Sequence, residues 1–338
     1  MEQVLDEADA RMIHALQIAP RAPWSRVGRI LDQDPVTLAR RWQRLLAEGT
    51  VWTTIESHSP RSASAIVEIG CLPGRTRDIA ARLAQDPEAR IIDLTAGSRE
   101  IIATVRASSD EALADYVFER LNPLEAVTSM RTHLVSEVVR DASAWRLRAL
   151  GDHERQALEQ LARPTSRAIG TRTDPELEAG ILAGLAHDAR MSHAALASRL
   201  AVSPTRVREG IERMRLGRRA TLRVHVQRQR SGWPIDAWYF LRVPAEMVSR
   251  VGALLGQMEE IRQIVHAVGP YNLIMAVWLR ALPDVQALEA MIESRLPGVQ
   301  IADRSVVMRT TKNAGRLIGD DGRAHAPSVA ETGTDEAR

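Results

Sequence analysis

Apolar residues recur at helical spacing from the start of the chain. Leu5, Ala8, Met12, Ile13 and Leu16 share one face of a 3.6-residue repeat, which predicts an amphipathic helix with Asp6 or Asp9 in its first turn. Ser25 to Leu31, after Pro23, predicts a second short helix, and 32–34 a turn. A third helix opens at Pro35, a residue suited to the first helical position, and continues to Ala47. Its inner face is Leu38, Trp42 and Leu45; Thr37, Arg40, Arg41 and Arg44 lie on the other. VWTTI, after Gly49, alternates weakly and predicts a wing strand. From Ala63 the pattern changes to strand (SAIVEI), helix (75–84), two strands about Gly97 (90–95 and 100–105), helix (109–121) and strand (127–139). This βαββαβ order is ferredoxin-like.

The whole pattern then recurs. RAPWSRVGRILDQDPVTLARRWQRL, from Arg21, aligns without a gap on RMSHAALASRLAVSPTRVREGIERM, from Arg190. Arg21 falls on Arg190, Leu31 on Leu200, Pro35 on Pro204 and Arg44 on Arg213. LTAGSREIIATVRA likewise matches HAVGPYNLIMAVWL, with Gly97 on Gly269. Ordered repeats of this length imply a duplicated unit. Ser203 is placed to cap the second copy's third helix, whose outward residues are Thr205, Arg206, Glu209 and Arg213. The expected class is therefore α+β, two winged helix-turn-helix domains each followed by a ferredoxin-like module. The expected divisions are 1–58 and 62–140, a linker at 141–173 with a helix over 153–161, 174–230 and 236–311, and a mostly disordered tail at 312–338.

Composition narrows the chemistry. Charged residues are 26% of 338 and net charge is +2, so bulk charge reveals no polyanionic partner. Arginine supplies nearly all the basic residues, Lys312 being the one lysine, and its planar fork suits phosphates and guanine edges. An α-helix fits the major groove of DNA, so short paired helices with a basic outer face predict duplex DNA as partner. Past the second third helix come Arg215, Arg218, Arg219, Arg223, Arg228 and Arg230 with no acid between them, suited to phosphates. The single cysteine, Cys71, ends an apolar strand and allows no internal disulfide. No signal peptide and no membrane-length apolar run is evident, which predicts a cytoplasmic protein. Walker, GxGxxG, GxSxG and HExxH patterns are missing and the nine histidines are scattered. These readings predict no catalytic residues, no metal, no cofactor and no enzymatic activity.

The motifs resemble one family. LDEADARMIHALQIAPRAPWSRVGRIL, DPVTLARRWQRL, VGPYNLIMAVW and LPGVQIADRSVVMRTTK are similar, in order, to the signatures of the Lrp/AsnC (feast/famine) transcriptional regulators. The resemblance implies pairing through the α/β modules, as an intramolecular pseudo-dimer or a homo-oligomer. It also implies a small effector, an amino acid or related metabolite, held near the turn between the second and third strands. That turn is Gly97, Ser98, Arg99 and Glu100 in one copy and Gly269, Pro270, Tyr271 and Asn272 in the other. Two alternatives stay open. Sirohaem decarboxylases look similar to this family and would want a His/Arg-rich pocket near that second strand. His266 sits there in one copy, Leu94 in the other. The other alternative is a ligand-sensing assembly protein without DNA binding.

Overall fold

The computed structural model describes residues 4–163, 174–217 and 219–325. These form two compact units that regroup the expected succession of domains. One gathers both helix-turn-helix segments and the chain between the modules (5–59 and 146–226); the other gathers both α/β modules (60–145 and 227–323).

In the helical unit, α1 (Glu7–Ile18), α2 (Trp24–Leu31) and α3 (Pro35–Ala47) close on Met12, Leu16, Leu31, Leu38 and Trp42, all essentially without solvent exposure. Asp6 caps α1 by accepting from Asp9 N–H at 2.6 Å, and Asp34 caps α3 by accepting from Thr37 N–H at 2.7 Å. In the second copy, α7 (Pro175–His187), α8 (His193–Arg199) and α9 (Pro204–Leu216) bury Ile181, Leu196 and Val207. Ser203 caps α9 at the Arg206 N–H, as its spacing predicts.

The expected wings are a correction. β1 (Val51–Ser57) and β6 (Ala220–Val226) pair with each other, antiparallel, as a two-stranded ribbon. Each is a single strand with no hairpin return, so its backbone groups find partners only in the other copy. The register places Thr54 opposite Arg223, its own equivalent in the repeat, so a local two-fold axis passes through that pair. Arg21 and Arg190 obey the same symmetry. Arg21 donates to the carbonyls of Ala189 and Met191 at 2.7 and 2.8 Å. Arg190 donates to those of Pro20 and Ala22 at 2.5 and 2.7 Å. The stretch expected as a linker is built into this unit. Its helix α6 (Asp152–Ala162) packs on α1 and α2, and His14 Nδ1 accepts from the backbone N–H groups of Ala149 and Leu150 at 3.0 and 3.1 Å. Pro164, Gly170 and Arg218 lie outside the described residues.

The other unit is built on one sheet. Module one contributes β2 (Ala63–Cys71), β3 (Ala89–Ala96), β4 (Ile101–Ala107) and β5 (Val127–Arg140), with α4 (Thr76–Leu83) and α5 (Asp110–Asp115). Module two contributes β7 (Ile235–Arg242), β8 (Ile261–Val268), β9 (Leu273–Leu279) and β10 (Gln300–Asn313), with α10 (Val248–Leu255) and α11 (Asp284–Arg295). Each module has the ferredoxin-like strand order, and β5 pairs with β8 while β10 pairs with both β3 and β7. All the described strands of this unit except the short β11 (Arg316–Leu317) thus close into a ring. Alternation divides every strand. Val67, Ile69, Tyr239 and Leu241 pack beneath the helices, whereas Ile66, Ile102, Trp238, Phe240 and Ile274 fill the space inside the ring. The pseudo-dimer left open by sequence is therefore formed within one chain. The tail is also placed further than expected: β11 pairs with β10, and the chain is described to His325.

Candidate functional site

The two third helices belong to one unit, and the two-fold ribbon fixes them relative to each other. Arg40 stands exposed on α3. Arg41 reaches back to α1, donating to Asp6 and Asp9 at 2.9 Å each, and Arg44 donates to Asp9 at 2.6 Å. Burial alone would raise the Asp6 carboxyl, but the Asp9 N–H and Arg41 hold it below the usual range. Thr37 is half-buried behind its capping aspartate. In the second copy Thr205, Arg206 and Glu209 are exposed. Arg206 donates to Asp174 at 2.6 Å, and that bond, with the Leu177 N–H, holds Asp174 below its ordinary value. Arg213 is half-buried beside them. Neither Arg40 nor Glu209 is engaged by a hydrogen bond or ion pair among the described residues.

The arginine run after α9 is spent largely on the protein itself. Arg219 grips Glu178 at 2.7 and 2.8 Å, Arg223 pairs with Glu56 at 2.9 Å, and Arg228 donates to the Pro234 carbonyl at 2.6 Å. Sequence could not show this, because the acids come from elsewhere in the chain.

The two glycine turns sit at one end of the ring, each against the final strand of the opposite module. Gly97 (φ +135°) lies where an added Cβ would stand 3.0 Å from Ser305 Oγ, and Gly269 where it would stand 2.9 Å from His133 Nδ1. Ser305 and His133 are equivalent positions of the repeat. Between them runs a network that joins the expected Ser98 and Arg99 to Glu68, His133 and Asp303, which sequence reasoning missed. Glu68, buried inside the ring, contacts His133 Nε2 through one carboxylate oxygen. Its other oxygen lies 2.5 Å from Arg99 Nε, off the N–H axis, so that contact is ionic rather than a hydrogen bond. Arg99 also contacts Asp303, donates to Ser98 Oγ at 2.6 Å and to Ser305 Oγ at 3.1 Å, and lies 4.5 Å over the Phe240 ring. His133, fully buried, packs against Tyr271 and Phe240. The signal available was Glu68, an acid on an otherwise apolar strand.

Glu100 and Asn272 do not face this network. Glu100 accepts from Cys71 N–H at 2.8 Å, and Asn272 brackets Val243, accepting from its N–H at 2.9 Å and donating to its carbonyl at 2.7 Å. Both pin the turn to the end of their module's first strand. Pro270 offers its carbonyl to Arg242 at 3.1 Å. Burial, then the charge of Glu100, pushes the Cys71 thiol up to about 11, so it is a packing residue.

Farther along the ring's interior lies a second pair of acids, Asp93 buried and Asp236 half-buried. Asp93 accepts from Thr310 Oγ1 at 2.7 Å and Trp238 Nε1 at 3.0 Å; Asp236 accepts from Trp278 Nε1 at 3.1 Å. Burial, reinforced by the charge of Asp236, raises Asp93 above the usual carboxylate range. His266 lies on the helix side of β8, with Nδ1 3.0 Å from Glu137 and Nε2 against Gly252 of α10.

Residues 64–145 match the sequence model of the Lrp/AsnC ligand binding domain. The Lrp/AsnC likeness extends to curated proteins. An uncharacterized HTH-type transcriptional regulator of Pyrococcus furiosus is 25% identical over 139 residues, which are 40% of this chain and 94% of that protein. The HTH-type transcriptional regulator LrpA of Pyrococcus abyssi is 22% identical over 138 residues, 40% of this chain and 98% of that protein. Among solved structures, the siroheme decarboxylase NirDL, bound to an iron-uroporphyrin III analogue, matches with a TM-score of 0.55 and 14% identity. It covers 87% of this chain and 88% of its own. That neighbour overturns the expectation of no enzymatic activity, because the architecture spanning most of this chain is one on which a decarboxylase is built. Among the described residues no helix is long and apolar enough to cross a membrane, and no three His, Cys, Asp or Glu side chains group as a metal site.

Proposed function

We propose that the protein is a sequence-specific DNA-binding transcriptional regulator of the Lrp/AsnC type, acting in the cytoplasm, with one chain supplying both DNA-reading helices. The observation that carries this reading is the two-fold pairing of two capped third helices, α3 and α9, each with polar and basic side chains turned outward. Arg40, Arg44, Arg206 and Arg213 would take phosphates and guanine edges; Thr37, Arg41, Thr205 and Glu209 complete the two reading faces. The bonds of Arg41 to Asp6 and of Arg206 to Asp174 are open to solvent and of small net worth, whereas Asp9 is buried, so phosphate oxygens compete for Arg44 while Arg41 stays as the partner of Asp9. The glycine turns, with Ser98, Arg99, Pro270 and Tyr271, remain the proposed effector site; a carboxylate-bearing metabolite would compete with the half-buried Asp303 for Arg99. Residues 1–58 and 174–230 serve as the readers and 62–140 and 236–311 as the effector modules. The test is fluorescence anisotropy with genomic fragments. Arg40→Ala should weaken binding and reduce the slope of log affinity against log salt by about one unit for each phosphate no longer neutralised. Unchanged affinity and slope would return Arg40 to the plain surface.

A second reading is favoured by one observation, the NirDL likeness over 87% of the chain. On it, the ring end holding His133, Glu68 and Arg99 would receive a polycarboxylate tetrapyrrole as substrate, the arginine taking a carboxylate and the histidine handling a proton. Absorbance titration with sirohaem tests it. A tight, stoichiometric spectrum that His133→Ala abolishes supports this reading; an unbound spectrum removes it.

A further inference from the structure

The two reading faces are not copies of each other, and the fold presents both at once. α3 and α9 belong to one compact unit, joined by the β1–β6 ribbon and the reciprocal Arg21 and Arg190 contacts, so one chain carries one of each. A homodimer presents two identical helices and so reads a palindrome, because operator symmetry mirrors protein symmetry. This chain has the two-fold backbone without two-fold side chains.

The difference in charge is sharpest at one pair of positions. Arg40 and Glu209 are equivalent in the repeat, both exposed on the outer face, and both free of hydrogen bonds and ion pairs among the described residues. Their neighbours are held back: Arg41 and Arg44 on Asp6 and Asp9, Arg206 on Asp174. Position 41 has no counterpart side chain at all, since Gly210 stands there; a Cβ would be 2.8 Å from Ile181 Cδ1, so that side-chain tip would have to shift to admit one. At this equivalent pair the uncommitted side chains are a guanidinium on one helix and a carboxylate on the other, with Arg208 a further exposed arginine on the flank of α9. In the major groove these have opposite preferences. Arginine donates twice to guanine O6 and N7, whereas glutamate accepts from the cytosine amino group and is repelled by phosphates and guanine acceptors.

We propose that the protein recognises a non-palindromic DNA site of two unlike half-sites. Arg40 selects guanine at one position, and Glu209 selects cytosine at the equivalent position of the other half-site. The inference rests on the regulator reading above and deepens it. Its physical content is negative as well as positive: a symmetric site would place Glu209 over guanine with an acceptor facing acceptors.

Selection of bound duplexes from a random library by the full-length protein, followed by sequencing, tests this. The wild type is expected to enrich two unlike half-sites, guanine and cytosine standing at equivalent positions counted from the centre. Glu209→Arg should shift its position from cytosine to guanine and leave the other half-site unchanged, a change in base preference of roughly 5- to 150-fold. Arg40→Glu should do the reverse at the other position. Both residues are exposed, and a circular dichroism melt matching the wild type verifies that each variant is folded. Identical half-sites in the wild-type selection, or an unaltered base preference in folded Glu209→Arg, would overturn the proposal. If wild type enriches no sequence while binding DNA in bulk, specific reading fails for both helices. If it binds no DNA, the regulator reading itself falls.

Discussion

Arg190→Ala tests the joint that makes one chain behave as a dimer. Arg190 gives two bonds, at 2.5 and 2.7 Å, to the Pro20 and Ala22 carbonyls, and its guanidinium carbon lies 4.2 Å over the Trp24 ring. Hydrogen bonds from a charged donor contribute about 1.5 kcal/mol or more each in net terms, and an exposed cation–π contact about 0.5–1 kcal/mol. Against that stands the cost of burial, which, with the charge of Arg21, pushes Arg190 down to about 10. The balance expected for Arg190→Ala is a loss of about 2 kcal/mol, placing it among hydrogen-bond-network losses rather than surface changes. Arg21→Ala, making the reciprocal contacts, should cost a similar amount. The two like charges repel, and each single variant already gains the relief of that repulsion. The double variant should therefore lose slightly more than the sum of the singles. Urea unfolding followed by circular dichroism measures all three, with DNA affinity read alongside. Losses below about 0.5 kcal/mol in both single variants, the range of ordinary surface substitutions, would refute the reasoning.

Other consequences follow from buried groups. His14 must stay neutral to accept two backbone N–H bonds, and burial, then the charges of Arg146 and Arg148, pushes it down to about 4. A depressed histidine stabilises the fold fully above its ordinary value of 6.5 and loses that contribution as pH falls toward 4. The helical unit should lose up to about 3 kcal/mol across that window, and His14→Gln should flatten the profile in urea titrations. Asp93 has the opposite sign: raised in the fold, it costs stability as pH climbs from its ordinary value of 3.8 until it ionises. Asp93→Asn, keeping the Trp238 and Thr310 bonds, should raise the melting temperature at pH 8 and not at pH 4; equal shifts at both would contradict the assignment. Gly97→Ala places a Cβ 3.0 Å from Ser305 Oγ at φ +135° and should cost about 1–3 kcal/mol. A melting temperature within a degree of wild type would show that the turn relaxes freely.

Periodicity makes the helices and strands legible because each buries one face, so Leu38, Trp42 and Leu45, or Val67 and Ile69, announce their element. The caps Asp6, Asp34 and Ser203 are legible for the same local reason. What the sequence conceals is long-range. The wing strands look like wings until their partner is known, and the register of β1 on β6 is not a local property. The pairing of Arg219 with Glu178 and Arg223 with Glu56 is hidden likewise, so a basic run reads as a phosphate surface. Glycines reveal the turns, but Glu100 and Asn272 bond backbone at the end of β2 and β7, where no ligand is needed to explain them. Glu68, His133 and Asp303 converge only because two modules close one ring. Missing catalytic motifs suggest missing catalysis, and a decarboxylase of the same architecture shows why motifs alone could not decide that.

The most direct test of the central reading is retention of sheared genomic DNA by the purified protein at moderate salt, followed by sequencing of what is held. Sharp enrichment of a few sites, abolished by Arg40→Ala, is the expected result. Uniform retention of all fragments, or none, would contradict it.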